Sequence, residues 1–199
     1  MNDRPCLGVR RVRCTVVLAL VAGAWLGLLG IAVGEQCTPW ELISPHPHGR
    51  NLTDVVWGGD RFVAVGYSVT QWSADGETWQ VAVHDGVHLN AVAWDGAAYV
   101  AVGDGGAILR STDGSDWDGV VSPTPADLTG VAWGNGTYLA VAADGTAFGS
   151  TSGLTWEPVP IPTPRGALRG VVFGEGTFCL FGDSSTLLVG SADDWADVS

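Results

Sequence analysis

The chain has 199 residues, and its formal net charge of −12 at pH 7 comes from 21 acidic residues against 9 basic ones, all of them arginine. This acidity argues against binding to nucleic acid or to an anionic membrane surface, because both need a basic protein face. The part of the chain after residue 34 is long enough to bury a sizeable core.

The first 34 residues differ in composition from the rest. An uncharged run over residues 15–34 ends with Ala32 and Gly34, small residues at positions −3 and −1 before Glu35. The run is preceded by Arg4, Arg10, Arg11 and Arg13. This layout predicts a secretory signal peptide, and the run is also long enough to be a retained membrane anchor. In both cases we expect residues 35–199 to be exported to the periplasm, cell surface or medium.

Two series of aromatic residues recur through the rest of the chain with one period. The first is spaced by 38 or 39 residues, at Trp40, Trp79, Trp117, Trp156 and Trp195. The second is spaced by 37 to 40 residues, at Trp57, Trp94, Trp133 and Phe173. A fixed period of about 40 residues is the signature of a stacked or radial repeat architecture.

Each period contains four short strands. In the third copy, apolar residues alternate on both sides of Asn135-Gly136, a strong signal for a β-hairpin. A third strand and a fourth strand opening at Trp156 complete the unit. Four antiparallel strands in about 40 residues make one propeller blade. The sequence therefore predicts an all-β, β-propeller-like array of four four-stranded blades over residues 35–199.

A recurrent turn precedes the last strand of each blade. A short polar side chain can bond back to the turn backbone, glycine supplies a left-handed position, and tryptophan packs against the sheet. Its residues are Ser73, Asp75, Gly76 and Trp79, then Ser111, Asp113, Gly114 and Trp117, then Ser150, Ser152, Gly153 and Trp156. The turn resembles the Asp-box of bacterial neuraminidase-type (BNR-like) repeats. Its shorter spacing is similar to that of photosystem II stability/assembly factor-like propellers.

The resemblance implies a structural role for these turns and, from the assembly-factor family, protein clients. That family's basic client-binding patch is not evident here. The neuraminidase resemblance implies a sialidase-type glycosidase as an alternative. However, none of the arginines after residue 34 lies in the Arg-Ile-Pro setting that opens those catalytic domains. We therefore predict no catalytic residues and no cofactor.

Closure of the ring is left open by the sequence. Trp40 begins an outer-strand sequence with no earlier strands of its own, while Trp195 already supplies the outer strand of the last blade. The alternatives are a closed ring, an open array with exposed edges, a homodimer that shares an eight-blade ring, and a truncated product.

Strand parity predicts where the loops lie. Connectors between blades and loops between second and third strands share one face of the array, the loop face, and the Asp-box turns lie on the opposite face. Candidate binding residues are Arg50, Tyr67, Trp72, Asp104, Arg110, Asp144 and Asp183. Among them, Trp72 is a candidate exposed contact, because its position is not a repeated core site.

All four histidines fall in two neighbouring connectors, at His46, His48, His84 and His88. Histidine is the commonest metal ligand, so these are candidate ligands, but their spacing matches no zinc signature. We therefore favour ordinary surface histidines and predict no metal.

Two cysteines follow the first segment, Cys37 and Cys179. An exported protein permits a disulfide between them. Alternatively, Cys179 packs as a small hydrophobe in the core, since it aligns with Val63 and Val100 on the second strand.

The predicted function is non-catalytic protein binding or assembly scaffolding through the loop face, outside the cytoplasm. A glycan-binding or glycoside-hydrolase-like propeller is the alternative, and an oligomerising fragment is a further one. The membrane is a partner only through residues 15–34, if they are retained.

Overall fold

The structure, a computed structural model, describes residues 50–162, 166–191 and 194–198. The regular structure in these ranges is β, apart from a single 3-10 turn at Asp104–Gly106. The strands are β1 (Leu52–Trp57), β2 (Phe62–Ser73), β3 (Gln80–Trp94), β4 (Tyr99–Gly103), β5 (Ile108–Ser111), β6 (Asp118–Gly119), β7 (Leu128–Gly134), β8 (Thr137–Ala142), β9 (Ala147–Ser150), β10 (Glu157–Val159), β11 (Leu168–Gly174), β12 (Thr177–Gly182), β13 (Leu187–Ser191) and β14 (Asp194–Asp197).

Within those ranges, no helix is long and apolar enough to cross a membrane. The predicted signal or anchor segment, the predicted strand at Trp40, and Cys37, His46 and His48 all lie outside the described residues.

The strands form three antiparallel sheets, with neighbours in the orders β1 to β6, β7 to β10 and β11 to β14. The last two sheets are four-stranded blades, as predicted. In the first sheet, the long strand β3 is continuous across the junction: residues 80–83 are the outer strand of the first repeat unit and residues 89–94 are the inner strand of the second. At this junction Tyr67 pairs with His88, and the register shifts between Tyr67 and Val69, so Ser68 is left out of the ladder. We call the repeat units blade 1 (52–83), blade 2 (89–119), blade 3 (128–159) and blade 4 (168–197).

The hairpin turns between first and second strands in blades 3 and 4 have the left-handed geometry that the Asn-Gly signal predicts. Asn135 and Gly136 have φ of 50° and 75°, and Glu175 and Gly176 have φ of 50° and 76°. Positive φ at both central residues matches the turn to the right-handed twist of its strands.

Each hydrophobic core lies between two consecutive blades. In the second one, Val100 and Val102 of blade 2 pack against Leu128, Val131 and Tyr138 of blade 3, all of them buried. Equivalent clusters join blade 1 to blade 2 and blade 3 to blade 4. A blade thus has a leading face toward the preceding blade and a trailing face toward the following blade.

The predicted inner aromatic series is part of these contacts. Each member lies against the aromatic ring that opens the second strand of its own blade, with centroids 4.2 Å apart for Trp94 and Tyr99 and 4.5 Å apart for Trp133 and Tyr138. The Tyr138 hydroxyl also donates to the Ala98 carbonyl of blade 2 at 2.8 Å. One aromatic pair thereby fills a blade and ties it to its neighbour.

A β-bulge recurs near the start of every first strand. The register shifts between Leu52 and Asp54, and at the equivalent place in blades 2, 3 and 4. A bulge re-aims the side chain it carries. Here that side chain donates to the first carbonyl of the next blade, from Thr53 to Leu89 at 2.7 Å, from Asn90 to Leu128 at 2.9 Å and from Thr129 to Leu168 at 3.0 Å.

The two ends of the array are open. Val55 on the leading face of blade 1 is 56% exposed, and Val172 on the trailing face of blade 4 is 54% exposed. A closed four-blade ring would cover both, so the described residues form an open array.

The inner strands of blades 3 and 4 approach so closely that only glycine fits. A Cβ added to Gly130 would lie 2.9 Å from the Gly170 Cα, which is backbone and cannot rotate away, whereas a Cβ on Gly174 would meet nothing within 4 Å. We predict that Gly130→Ala destabilises the protein by about 1–3 kcal/mol, and that Gly174→Ala is neutral or slightly stabilising. Urea midpoints at constant slope test this. Equal midpoints for the two variants would contradict the close approach.

Candidate functional site

The loop face is built as strand parity predicts. Loops between second and third strands are tied by backbone hydrogen bonds to the connector that enters their own blade. Ala143 N–H donates to the Asp127 carbonyl, and Asp183 N–H donates to the Ala167 carbonyl, both at 2.9 Å. The equivalent bond in blade 1 joins Tyr67 N–H to Asn51. Loops and connectors therefore form one continuous surface.

Exposed carboxylates dominate the middle of the loop face. Asp104 accepts from the Asn90 amide at 2.8 Å, and Asp127 accepts from Gly105 N–H at 2.7 Å. Asp144 accepts from the Thr146 hydroxyl at 2.6 Å and from its N–H. Asp127 and Asp144 accept from turn N–H groups with a single oxygen, whereas Asp104 accepts from a side-chain amide, and all three residues are exposed to solvent. The result is an acidic surface held in place by its own turns.

The two arginines of this face described by the structure are both paired with aspartate. Arg169 makes a bidentate contact with Asp183 at 2.8 and 2.7 Å. These hydrogen bonds hold the pKa of Asp183 below its usual range and raise the pKa of Arg169. Arg50 lies 3.5 Å from Asp85 and donates to the Ser68 carbonyl at 3.3 Å.

Sequence reasoning missed Asn90, Asp127 and Arg169 as members of this face. The signal that could have found Asn90 and Arg169 is a polar residue at the second position of each first strand, which recurs as Thr53, Asn90, Thr129 and Arg169. Asp127 lies one residue before the strand and is not part of this series.

An aromatic and histidine cluster lies at the blade 1 end of the loop face. Tyr67, 45% exposed, stacks on His88 with centroids 4.5 Å apart. His84 Nε2 lies 3.0 Å from the Thr70 hydroxyl, and burial lowers the pKa of His84. In the described part of the chain, no three metal-ligating side chains come together.

Two of the candidate binding residues lie away from the loop face. Arg110 donates from Nε to the Ser152 carbonyl at 3.1 Å, in the turn of blade 3 on the opposite side. Trp72 is half-buried and packs against the core between blades 1 and 2. Both occupy third-strand positions on the trailing face, where the next blade covers them. The exposure expected of Trp72 is therefore not found.

Cys179 is a free thiol in the structure and is half-buried. It lies on the second strand of blade 4, in the position of the fully buried Val63 and Val100, and pairs with Val172 and Val189 of the two adjacent strands. Its partial exposure arises because no described blade follows blade 4.

The recurrent turns on the opposite face are closed by their own side chains. Ser73 donates to Asp75 at 2.9 Å, and that carboxylate accepts from the N–H groups of Glu77 and Thr78 at 2.8 and 2.7 Å. The Trp79 indole then donates to the Gly76 carbonyl at 3.2 Å.

The second and third copies share this arrangement. Asp113 accepts from Ser115 and Asp116 N–H groups, and Trp117 donates to Gly114. In the third copy Ser152 replaces aspartate and accepts from Leu154 N–H, while Gly153 N–H donates to Ser150 and the Trp156 indole donates to the Gly153 carbonyl.

Known proteins share the fold of this chain. No family model and no curated protein matches the sequence. YCF48 from Cyanidioschyzon merolae superposes with a TM-score of 0.63 and 19% identity over 77% of this chain and 57% of that one, and YCF48 has also been solved bound to a D1 peptide. Virginiamycin B lyase from Staphylococcus aureus superposes with a TM-score of 0.67 and 15% identity over 77% and 57% of the two chains.

The chain thus spans a little over half the length of these two proteins. The computationally designed Ika4 protein is matched over 98% of its length, with a TM-score of 0.60 and 14% identity over 76% of this chain. Identities this low show the fold alone. The predicted resemblance to β-propeller repeat proteins is confirmed.

Backbone hydrogen bonds from Thr78 and Glu77 lower the pKa of Asp75 to about 2, and those from Asp116 and Ser115 do the same for Asp113. In the unfolded chain both carboxyls titrate near 3.8. A depressed folded-state pKa adds stability that is present above pH 3.8 and is lost as the pH falls toward 2.

We predict that the double variant Asp75→Asn/Asp113→Asn has a lower Tm than the parent at pH 6, and that the two Tm values converge near pH 2. Asparagine keeps an acceptor oxygen but cannot titrate, so the difference isolates these two carboxyls. Circular dichroism melts across pH 2 to 6 measure it. A difference that does not change with pH would show that the turns are stabilised without charge.

Proposed function

We propose that this chain is a non-catalytic binding propeller that holds a segment of a partner protein on its loop face. The observation that carries the proposal is an open depression of about 690 Å³ beside the second-to-third-strand loop of blade 3. Its wall includes Val159 and Ile161, and Asp144 and Thr146 lie at its rim. An apolar floor with a few polar groups is the usual composition of a binding site.

The charge of this face indicates the chemistry of the partner. Asp104, Asp127 and Asp144 are carboxylate residues exposed to solvent, whereas Arg50 and Arg169 are paired with Asp85 and Asp183. Complementary charge steers association and disfavours partners of like charge. A segment that alternates apolar and cationic residues would place its apolar side chains in the depression and its cations against the carboxylates.

The solved propellers support binding as the general role. YCF48 has been solved bound to a D1 peptide, so one propeller of this fold binds a peptide. The layout of residues 1–34 supports a location outside the cytoplasm, since a positive flank followed by an apolar run is read by the export machinery.

A glycan-binding or glycosidase-like propeller is less well supported by the geometry. It would need an exposed tryptophan near paired carboxylates, and Trp72 is instead half-buried on another part of the array. Tyr67 is the exposed aromatic side chain left on the described part of the loop face. The virginiamycin B lyase likeness shows that an enzyme can have this fold, but the aspartates of the loop face here serve as turn caps.

We predict that the protein binds an end-capped alternating Lys-Val decapeptide in preference to its Glu-Val counterpart. Asp144→Lys should weaken this binding by about tenfold, which corresponds to about 1.4 kcal/mol, because it puts a repelling charge at the rim of the depression. Fluorescence anisotropy with a labelled peptide measures the Kd.

The matched control is Asp116→Lys, which makes the same charge change at an exposed residue of the opposite face. It should leave the Kd within about twofold, because charges beyond a Debye length of about 8 Å are largely screened. An equal loss in both variants would mean that the peptide responds only to total charge, and the proposed site would be wrong.

A further inference from the structure

The leading face of blade 1 carries residues that every other blade buries. Val92, Val131 and Val171 are 5%, 6% and 7% exposed, whereas Val55 in the same position is 56% exposed. Leu89, Leu128 and Leu168 are fully buried, whereas Leu52 is 43% exposed. The exposure is confined to the inner strand β1, because Ala64 and Gln71, on the second and third strands of the same face, are each only 2% exposed.

The trailing face of blade 4 likewise exposes residues that the other blades bury. Val65, Val102 and Val141 are fully buried, whereas Phe181 in the same position is 44% exposed. Cys179 and Val172 belong to this surface. A hydrophobic surface that three internal copies bury and one leaves in water indicates a missing neighbour.

The two end faces are complementary, because each internal interface joins one face of each kind. In the interface of blades 1 and 2, Val56 of the trailing face packs in the same cluster as Val92 of the leading face. In the interface of blades 3 and 4, Ala132 packs with Val171. At the open ends, Val172 of blade 4 takes the position of Val56 and Ala132, and Val55 of blade 1 takes the position of Val92 and Val171.

We propose that a second copy of this chain covers both ends, with the leading face of each blade 1 on the trailing face of the other chain's blade 4. The contact repeats the inner-strand part of the internal blade-to-blade packing and is head-to-tail, so it either closes into a ring or grows into a filament. Two copies give eight blades, within the usual range of about four to eight, whereas three copies exceed it. The dimer is therefore the assembly that closes.

Arg169 provides an independent polar link. It occupies the bulge position from which Thr53, Asn90 and Thr129 each donate to the first carbonyl of the following blade. The structure gives it no following blade, and its side chain is 57% exposed beside Asp183. In the dimer it is placed to donate to the Leu52 carbonyl of the second copy, completing the series of inter-blade hydrogen bonds.

The test is the mass in solution of the full chain, expressed in a host whose own export machinery removes or retains residues 1–34. Light scattering should give twice the mass that denaturing mass spectrometry gives for the same sample, with detergent present and accounted for if the segment is retained. Val55→Glu and Val172→Lys should each weaken the dimer by about a hundredfold or more, because each buries an unpaired charge.

The double variant Val55→Glu/Val172→Lys should recover much of the dimer, since each contact then holds one charge of each sign. Val121→Lys is the matched control, because Val121 is 88% exposed on a connector away from both end faces, and it should not change the mass. Near-UV circular dichroism checks that the variants stay folded.

Labelling of Cys179 with a maleimide, located by peptide mass spectrometry, gives a second readout. The thiol should react slowly in the parent dimer and quickly in the Val55→Glu monomer, whose substitution lies on the opposite face. A monomeric parent would overturn the proposal, and polymers of unlimited length would overturn the ring. Peptide binding by a Val172→Lys monomer would show that the loop face works independently of the dimer.

Discussion

The structure depends on one constraint, which is that a blade has two apolar faces and loses stability wherever one of them is left in water. Burying one valine or leucine side chain stabilises a fold by about 1.5–3 kcal/mol, and each blade interface buries several. In clusters such as that of Val100, Val131 and Tyr138, the core belongs to a pair of blades. Stability then depends on nearest neighbours along the array, as in other repeat proteins, and the end blades are the ones left incomplete.

Polar bonds at the inner strands fix how neighbouring blades align. Packing alone would permit sliding, but the bulge side chains of Thr53, Asn90 and Thr129 each reach one carbonyl of the next blade. In blade 1, the Asp54 carboxylate also accepts from Val92 N–H at 2.9 Å. Where blades 3 and 4 meet, Gly130 takes the position that Asp54 has in blade 1, and the backbones of the two inner strands come into contact. Hydrogen bonds with fixed geometry thus set the register that the hydrophobic contacts stabilise.

The loop face and the opposite face of the array serve different purposes because of these constraints. On the opposite face, the serine, aspartate and tryptophan turns satisfy their own backbone hydrogen bonds and pack against the neighbouring blade, so their residues serve the fold. On the loop face, backbone hydrogen bonds hold the loops to their connectors. Their side chains remain available, and in this chain they are mostly acidic. The proposed binding site and the proposed dimer contact therefore use different surfaces.

The sequence by itself determined the all-β repeat, its period, its hairpin turns and the division into a loop face and an opposite face, because periodicity and turn chemistry act over a few residues. The tertiary structure decided the rest. It made β3 continuous between the first two blades, covered Trp72 with a neighbouring blade, and paired Arg169 with Asp183. It also left Val55 and Val172 exposed. Comparison of the repeats in the sequence could not reveal this exposure, since both residues occupy core positions in the repeat. Whether a core position is buried depends on the presence of the next blade, and that is a property of the assembled array.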